Sequence, residues 1–307
     1  MISFTKKSIL TLTFLTSSLS LFAQKPHSPE EQKDYDKAVA AAIPAIKAMV
    51  TPKKARRILV LSATKGWYHS SIETAKTCVK LMGEKTGAFT ADFGDDANLY
   101  TAKNLSKYDA ILFNNSTYIQ DFFNTQQKQA VLNFIKNGGG FIGIHAAADC
   151  GTSAKKAKSS WPEITELIGG AFVSHPWTRK GMYGILNEDP THPILEPMNA
   201  KGFDISDELY KYKDYKRENQ RVLLSIDMKK SYKKAGREDH DHALVWVKKY
   251  GKGRVFFSSF GHNEAVYANP MILQMWLNGF QYALGDISVD TAALPLPDVH
   301  KNFTPKK

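Results

Sequence analysis

A chain of 307 residues, 43% of them apolar, is long enough to bury a full core as one or two domains, which excludes a disordered or fibrous protein. Its formal charge of +11 is spread along the sequence, with only small clusters such as Lys53-Lys54-Ala55-Arg56-Arg57 and no basic stripe interleaved with aromatics, so nucleic acid is not an expected partner. The two cysteines, Cys78 and Cys150, are too few for a disulfide framework and would pair only if the fold brought them together.

The first residues, MISFTKKSILTLTFLTSSLSLFAQ, place Lys6 and Lys7 before an apolar, hydroxyl-rich run from Ile9 to Phe22 and a small residue, Ala23. That pattern predicts a signal peptide over 1–23, cleaved after Ala23, although Leu21 is a poor residue two places earlier. The run is short and broken by Thr and Ser, which argues against a membrane anchor, and no cysteine follows it for lipid attachment. A periplasmic or secreted protein with no transmembrane anchor is expected. Without Lys6 and Lys7 the 41 basic residues become 39 against 30 acidic ones, a charge of +9. Such a balance allows a general attraction to anionic surfaces or acidic glycans.

Residues 24–55 read as a helical leader. Ser28 is placed to cap a helix, Pro29 to occupy its first position, and Pro44 to kink it. The run RRILVLSA (56–63) has the unbroken apolar character of a strand covered on both faces. A loop, TKGWYHSS, leads to a helix from about Ser71 to Gly83. FTADFGDD suggests another strand, and YDAILFNNS (108–116) is one, ending in Asn114, Asn115 and Ser116. TQQKQAVLNFIKNGGG is a helix with Thr125 as its cap, followed by a strand over 140–146. This strand–helix alternation predicts an α/β fold, a parallel sheet with helices on both faces. Ligands of such sheets bind beyond the carboxyl ends of the strands, where His69, Asn114–Ser116 and His145–Asp149 all fall.

From 151 the pattern changes. GTSAKKAKSS is a solvated loop and WPEITELIGG a short helix, while AFVSHPWT and GMYGILNE suggest strands of an antiparallel extension. RVLLSIDM (221–228) is a strand, and ALVWVKKYGKGRVFFSSFGH gives two more around a Tyr-Gly-Lys-Gly turn. NPMILQMWLNGFQYALG closes the domain as an amphipathic helix. The proline-rich tail, 286–307, is expected to be poorly ordered.

The motifs RILVLSATKGWYHSSIE, YDAILFNN, GGGFIGIHAAAD, VSHPW, THPIL, DELY and YGKGRVFFSSFGH resemble, in order and spacing, those of ThuA-like (trehalose utilisation) proteins. The resemblance spans 56–285, taken as one domain. It implies a flavodoxin-like, class I glutamine amidotransferase-like sheet and a link to the metabolism of disaccharides and their keto-sugar derivatives. In amidotransferases of that fold the corresponding strand ends in a Gly-Ile-Cys elbow; here it reads Gly143-Ile144-His145, so an imidazole replaces the thiol. Cys150 lies five residues on, which argues against a Cys-His-Glu glutaminase. Tyr68 stands where the family pattern suggests arginine, which puts an anion contact there in doubt.

Nine histidines supply most of the chemical candidates. His27 and His300 fall in expected flexible ends and are set aside, and His175 and His192, each before proline, fit turns as well as sites. His145 has the best position, as a base or metal ligand; Glu208 is its leading carboxylate partner, and on a helix Asp207 beside it would point elsewhere. His69, His242 and His262 are candidate ligands or orienters for a divalent metal ion, His242 on the strength of the resemblance. Trp67, Asn114, Asn115, Asp149, Trp177 and Tyr210 are candidate contacts to a carbohydrate substrate. Neutral imidazoles beside a carboxylate suit either metal coordination or acid–base work on a 3-keto sugar, whose ketone acidifies the neighbouring C–H. The expectation is a small-molecule carbohydrate partner, with a non-catalytic sugar-binding or accessory protein as the alternative.

Overall fold

An apolar run of strand length needs cover on both faces, and the computed structural model, which describes residues 24–152, 157–198 and 200–305, shows what provides it. The expected signal peptide over 1–23 lies outside the described residues, as does part of the loop after Thr152. The chain runs through α1 (Pro29–Ala42), β1 (Arg57–Leu61), α2 (Ile72–Thr86), β2 (Thr90–Phe93), α3 (Ala102–Leu105), β3 (Ala110–Asn114), α4 (Thr125–Lys136), β4 (Gly140–Ile144) and α5 (Pro162–Ile168). It continues through β5 (Ala171–Trp177), β6 (Tyr183–Asn187), β7 (Phe203–Ile205), β8 (Leu209–Lys213), β9 (Arg221–Ile226) and α6 (Met228–Ser231). Then come β10 (Ala243–Tyr250), β11 (Gly253–Ser258), α7 (Pro270–Leu284) and α8 (Asp298–Lys301).

Nine strands form one sheet in the order β2-β1-β3-β4-β11-β10-β9-β6-β7. The first five are parallel to one another; β11 turns back into β10, and from there the sheet is antiparallel. The α/β fold with an antiparallel extension is thus as the sequence indicates. Successive residues of β1 face opposite layers. Ile58 and Val60 join the core under α2 and α7, whereas Leu59 and Leu61 join the core under α4 and α5. Ala110 and Leu112 against Ile111 and Phe113 repeat the pattern in β3. That period of two, with both faces covered, is why these strands read as unbroken apolar runs.

Local details depart from the sequence reading in three places. Helix α4 is capped by Asn124 rather than Thr125, because Asn124 and Gln127 exchange side-chain and backbone bonds in a capping box. Helix α1 does not kink at Pro44; it ends at Ala42 and passes into a 3₁₀ turn, Ile43–Ala45, that holds the proline. The tail is laid back over the domain rather than loose. Arg56 bridges Asp286 at 2.6 Å and Asp109 at 3.1 Å, Arg221 reaches Asp290 at 2.7 Å, and α8 buries His300 completely.

The layers also decide the cysteine question. Cys78, on α2, sits in one core and Cys150 in the other, so the sheet separates them and neither forms a disulfide. Burial pushes both thiols above their ordinary pKa, and Asp149 adds to the effect at Cys150. Native protein should therefore react slowly with a thiol reagent. After denaturation two thiols per chain should titrate without prior reduction, and a lower count would show a disulfide.

Candidate metal centre

Because β1, β3, β4 and β11 are parallel neighbours, the segments leaving them emerge above one rim of the sheet. His69 follows β1, His145 follows β4 and His262 follows β11. His145 takes up a left-handed backbone conformation, φ 45°, at the first position beyond β4. Holding a non-glycine residue there costs on the order of 1 kcal/mol or more. The turn aims the ring back over the strand end, and three buried alanines, Ala146–Ala148, let the chain pass beneath it. On the opposite wall Gly261, at φ 127°, has no room for a side chain: a Cβ would lie 2.7 Å from the Tyr267 hydroxyl and 2.9 Å from Ile144 Cγ2.

The three rings are mutually edge-on, with centroids 5.1, 5.1 and 5.2 Å apart. His145 Nδ1 donates to the Ser259 carbonyl at 2.7 Å, which leaves Nε2 with its lone pair directed inward. That Nε2 is 3.3 Å from His262 Nδ1 and 3.9 Å from Glu208 Oε1, and His262 Nδ1 is 3.2 Å from the same Oε1. His69, His145, His262 and Glu208 each offer one ligand atom, all within 4.8 Å of one another. His69 Nδ1 is buried without a hydrogen-bond partner among the described residues. Burial first, then the neighbouring imidazoles, holds His69 and His145 well below the ordinary imidazole pKa, so both are neutral. Three imidazoles, one carboxylate and an orphaned polar atom fit a first-row divalent ion.

Glu208 reaches this cluster from the position just before β8, after a bend at Asp207. Asp207 turns away from the cleft and accepts from the backbone of Gly261 and Asn263 at 2.7 and 2.8 Å, fixing the loop that carries His262. Burial nevertheless raises its pKa to about 7. Above the cluster opens a cleft of about 710 Å³ with Trp67, Tyr118, Phe172 and Tyr210 among its walls. Lys65, Lys158 and Arg179 stand around it, with Asp149 below.

The ThuA family, described as trehalose utilisation, matches residues 57–283. The chain belongs to the ThuA family. A protein described as ThuA-like from Bacteroides uniformis is similar in structure, with 22% identity over 76% of this chain and 94% of its own and a TM-score of 0.62. Another, from Parabacteroides merdae, has 19% identity over 80% of this chain and 94% of its own, at a TM-score of 0.55. No curated protein matches the sequence. At these identities the likeness establishes the fold.

Within this ThuA domain the candidates picked from sequence divide cleanly. His69, His145, His262 and Glu208 come together, and Trp67, Asp149 and Tyr210 line the cleft. His242 does not join them. It is buried against Trp177, with ring centroids 4.8 Å apart, and its Nε2 accepts from Arg237 N at 3.1 Å; burial, then Arg237, lowers its pKa to about 3. Trp177 is core, its indole N–H donating to Ser231 O at 2.7 Å. Asn114 and Asn115 are also buried and serve as braces: Asn114 Nδ2 donates to Ser62 Oγ at 2.9 Å and Asn115 Nδ2 to the Tyr267 hydroxyl at 3.0 Å. His175, which sequence could equally assign to a turn, lies at the cleft 3.6 Å from Glu208 Oε2. Arg179, which no sequence pattern marks, supplies a guanidinium beside the cleft where Tyr68 gives none. Cys150 donates to Ala147 O at 3.1 Å inside the core, which leaves no thiolate for glutamine hydrolysis.

The depressed histidines set the direction of a pH effect. Below the ordinary imidazole pKa of about 6.5 the unfolded chain takes up protons that folded His69 and His145 refuse, so stability rises with pH and is lost as pH falls. Each contributes up to about 1.4 kcal/mol per pH unit in that window. Denaturant unfolding of metal-free protein from pH 7 to 5 should show this slope, and His145→Gln should flatten it by about one proton's worth. Equal slopes for the two proteins would contradict the buried, neutral assignment.

Proposed function

We propose that this ThuA protein is an exported enzyme that acts on disaccharides, glycosides or their 3-keto forms. The observation carrying the reading is the convergence of three imidazoles and one carboxylate beside an aromatic-walled cleft of about 710 Å³, a volume ample for two sugar rings. The family description, trehalose utilisation, supports a disaccharide-like ligand. The lysines preceding the apolar run from Ile9 to Phe22 support export.

His69, His145 and His262, with Glu208, would hold a divalent cation, which when bound supplies a Lewis acid for a developing enolate oxygen. His145 is fully buried and its Nδ1 is committed to Ser259, so it serves as ligand and orienter rather than as a base. Glu208 also lines the cleft: its Oε1 faces the cluster, while its Oε2, 3.6 Å from His175 Nδ1, is the atom placed to move protons. On a 3-keto-glycoside it would take the proton from the carbon between ketone and anomeric centre. That electron pair forms the new double bond as the anomeric C–O bond breaks. The departing oxygen needs a proton, and His175, half-exposed and 3.6 Å from Glu208 Oε2, stands where it can give one. Trp67, exposed at 38%, offers a face on which a sugar ring can stack.

Purified protein loaded with zinc or manganese should turn over a 3-keto-glycoside. Glu208→Gln should lower kcat by roughly 10²- to 10⁴-fold, the range for a lost general base. Saturable sugar binding without turnover, across a panel of glycosides, keto-glycosides and metals, would replace this reading with the sugar-binding accessory role.

A further inference from the structure

The family match begins at residue 57, yet the segment before it enters the site. Gln24 lines the cleft. Its backbone N–H donates to Tyr68 O at 2.9 Å, and its Oε1 accepts from Ser70 N at 2.9 Å and Ser70 Oγ at 3.1 Å. Three residues on, His27 Nε2 meets Glu264 Oε1 at 2.7 Å, an oxygen that Ser70 Oγ also reaches at 2.5 Å. Burial opposes ionisation of Glu264, but the hydrogen bonds from Ser70 and His27 help outweigh it and hold its carboxyl below the ordinary range. Residues 24–27 thus strap the loop bearing His69 to the loop bearing His262, and His27 is not in a loose end.

Only one orientation of the Gln24 amide serves both its neighbours. The Ser70 N–H needs an acceptor, so Oε1 faces it and the NH₂ group faces His262 Nε2 at 3.3 Å. A donor aimed at Nε2 requires a lone pair there. The proton of a neutral His262 then sits on Nδ1, 3.2 Å from Glu208 Oε1, on the side facing the cluster. We propose that Gln24 is a positioning residue that fixes the tautomer of His262 and so decides whether the inward Nδ1 presents a hydrogen or a lone pair. Its consequence for metal affinity rests on the metal-centre reading; the tautomer itself does not. A carboxylate at position 24 would keep the acceptor for Ser70 and turn a second acceptor toward His262, favouring Nε2–H and freeing Nδ1 to coordinate.

Histidine-¹⁵N NMR of metal-free protein, checked by intact mass to retain the Gln24 amide, tests this directly. Wild type should show His262 as the Nδ1–H tautomer, Gln24→Glu as Nε2–H, and Gln24→Ala a shift toward Nε2–H, the form that free imidazole side chains favour in water. Wild type already in the Nε2–H form, or no change in either variant, would overturn the proposal. Calorimetric titration with Zn²⁺ then reads the consequence: Gln24→Glu should bind roughly 10- to 100-fold more tightly than wild type, the span typical of partners to metal-bound histidine. Zinc binding to none of the three proteins, with the tautomers shifting as described, would uphold the role of Gln24 and remove the metal-centre reading instead.

Discussion

The direction of four neighbouring strands governs this molecule. With β1, β3, β4 and β11 all parallel, residues far apart in sequence leave the sheet at one rim, as the bond from Ser71 Oγ to Gly261 O at 3.0 Å, across 190 positions, records. Reversing any one of them would carry its histidine or its braces to the far side. Parallel pairing in turn demands helices on both faces, and the two apolar cores on either side of the sheet meet that demand. The site is therefore a by-product of how the core is covered, and it inherits the rigidity of the core.

That rigidity is used to hold an arrangement that would not persist by itself. The strained backbone at His145 is unfavourable, and burying three imidazoles together adds the cost of desolvating their nitrogens. The opposing contributions are specific bonds made outside the cluster. Ser259 O holds His145, Asp207 holds both sides of His262 through Gly261 and Asn263, and Asn115 ties its strand end to Tyr267. Polar residues at the strand ends thus divide into two populations, one facing the cleft and one spent on keeping the first in place.

Sequence could not draw that division. Apolar runs, glycine punctuation and helix caps made the sheet legible, and the position of a histidine one step beyond a strand made His145 legible. Asn114 and Asn115 occupy an equivalent strand end, yet their amides are consumed by Ser62 and Tyr267, partners 52 and 152 positions away. His242 borders a strand just as His262 does. β10, however, runs antiparallel to β11, so the start of β10 lies near the end of β11 and residue direction, not proximity in sequence, decides which imidazole enters the cleft. Arg179 and His175 were hard to read for a different reason. They belong to β5 and the turn after it, and among the described residues β5 pairs with β8 in a separate two-stranded sheet, where β5 is buried at its two ends alone and so reads as no apolar run.

Burial grades the site from floor to mouth, and that gradient separates chemistry from selection. His145 is wholly enclosed and His69 and His262 nearly so, whereas Trp67 is 38% and the His175 side chain 49% exposed. Groups at the floor have their rotamers fixed by packing and by the bonds named above, so the spacing of nitrogens and carboxylate cannot adapt to one ligand over another. Groups at the mouth are long, aromatic or cationic and have solvent on one side, so they can be exchanged without disturbing the sheet. Differences in which ligand is accepted should then be written in β5, its following turn and the loop around Trp67, while the chemistry open to the site is written in the three strand ends beneath.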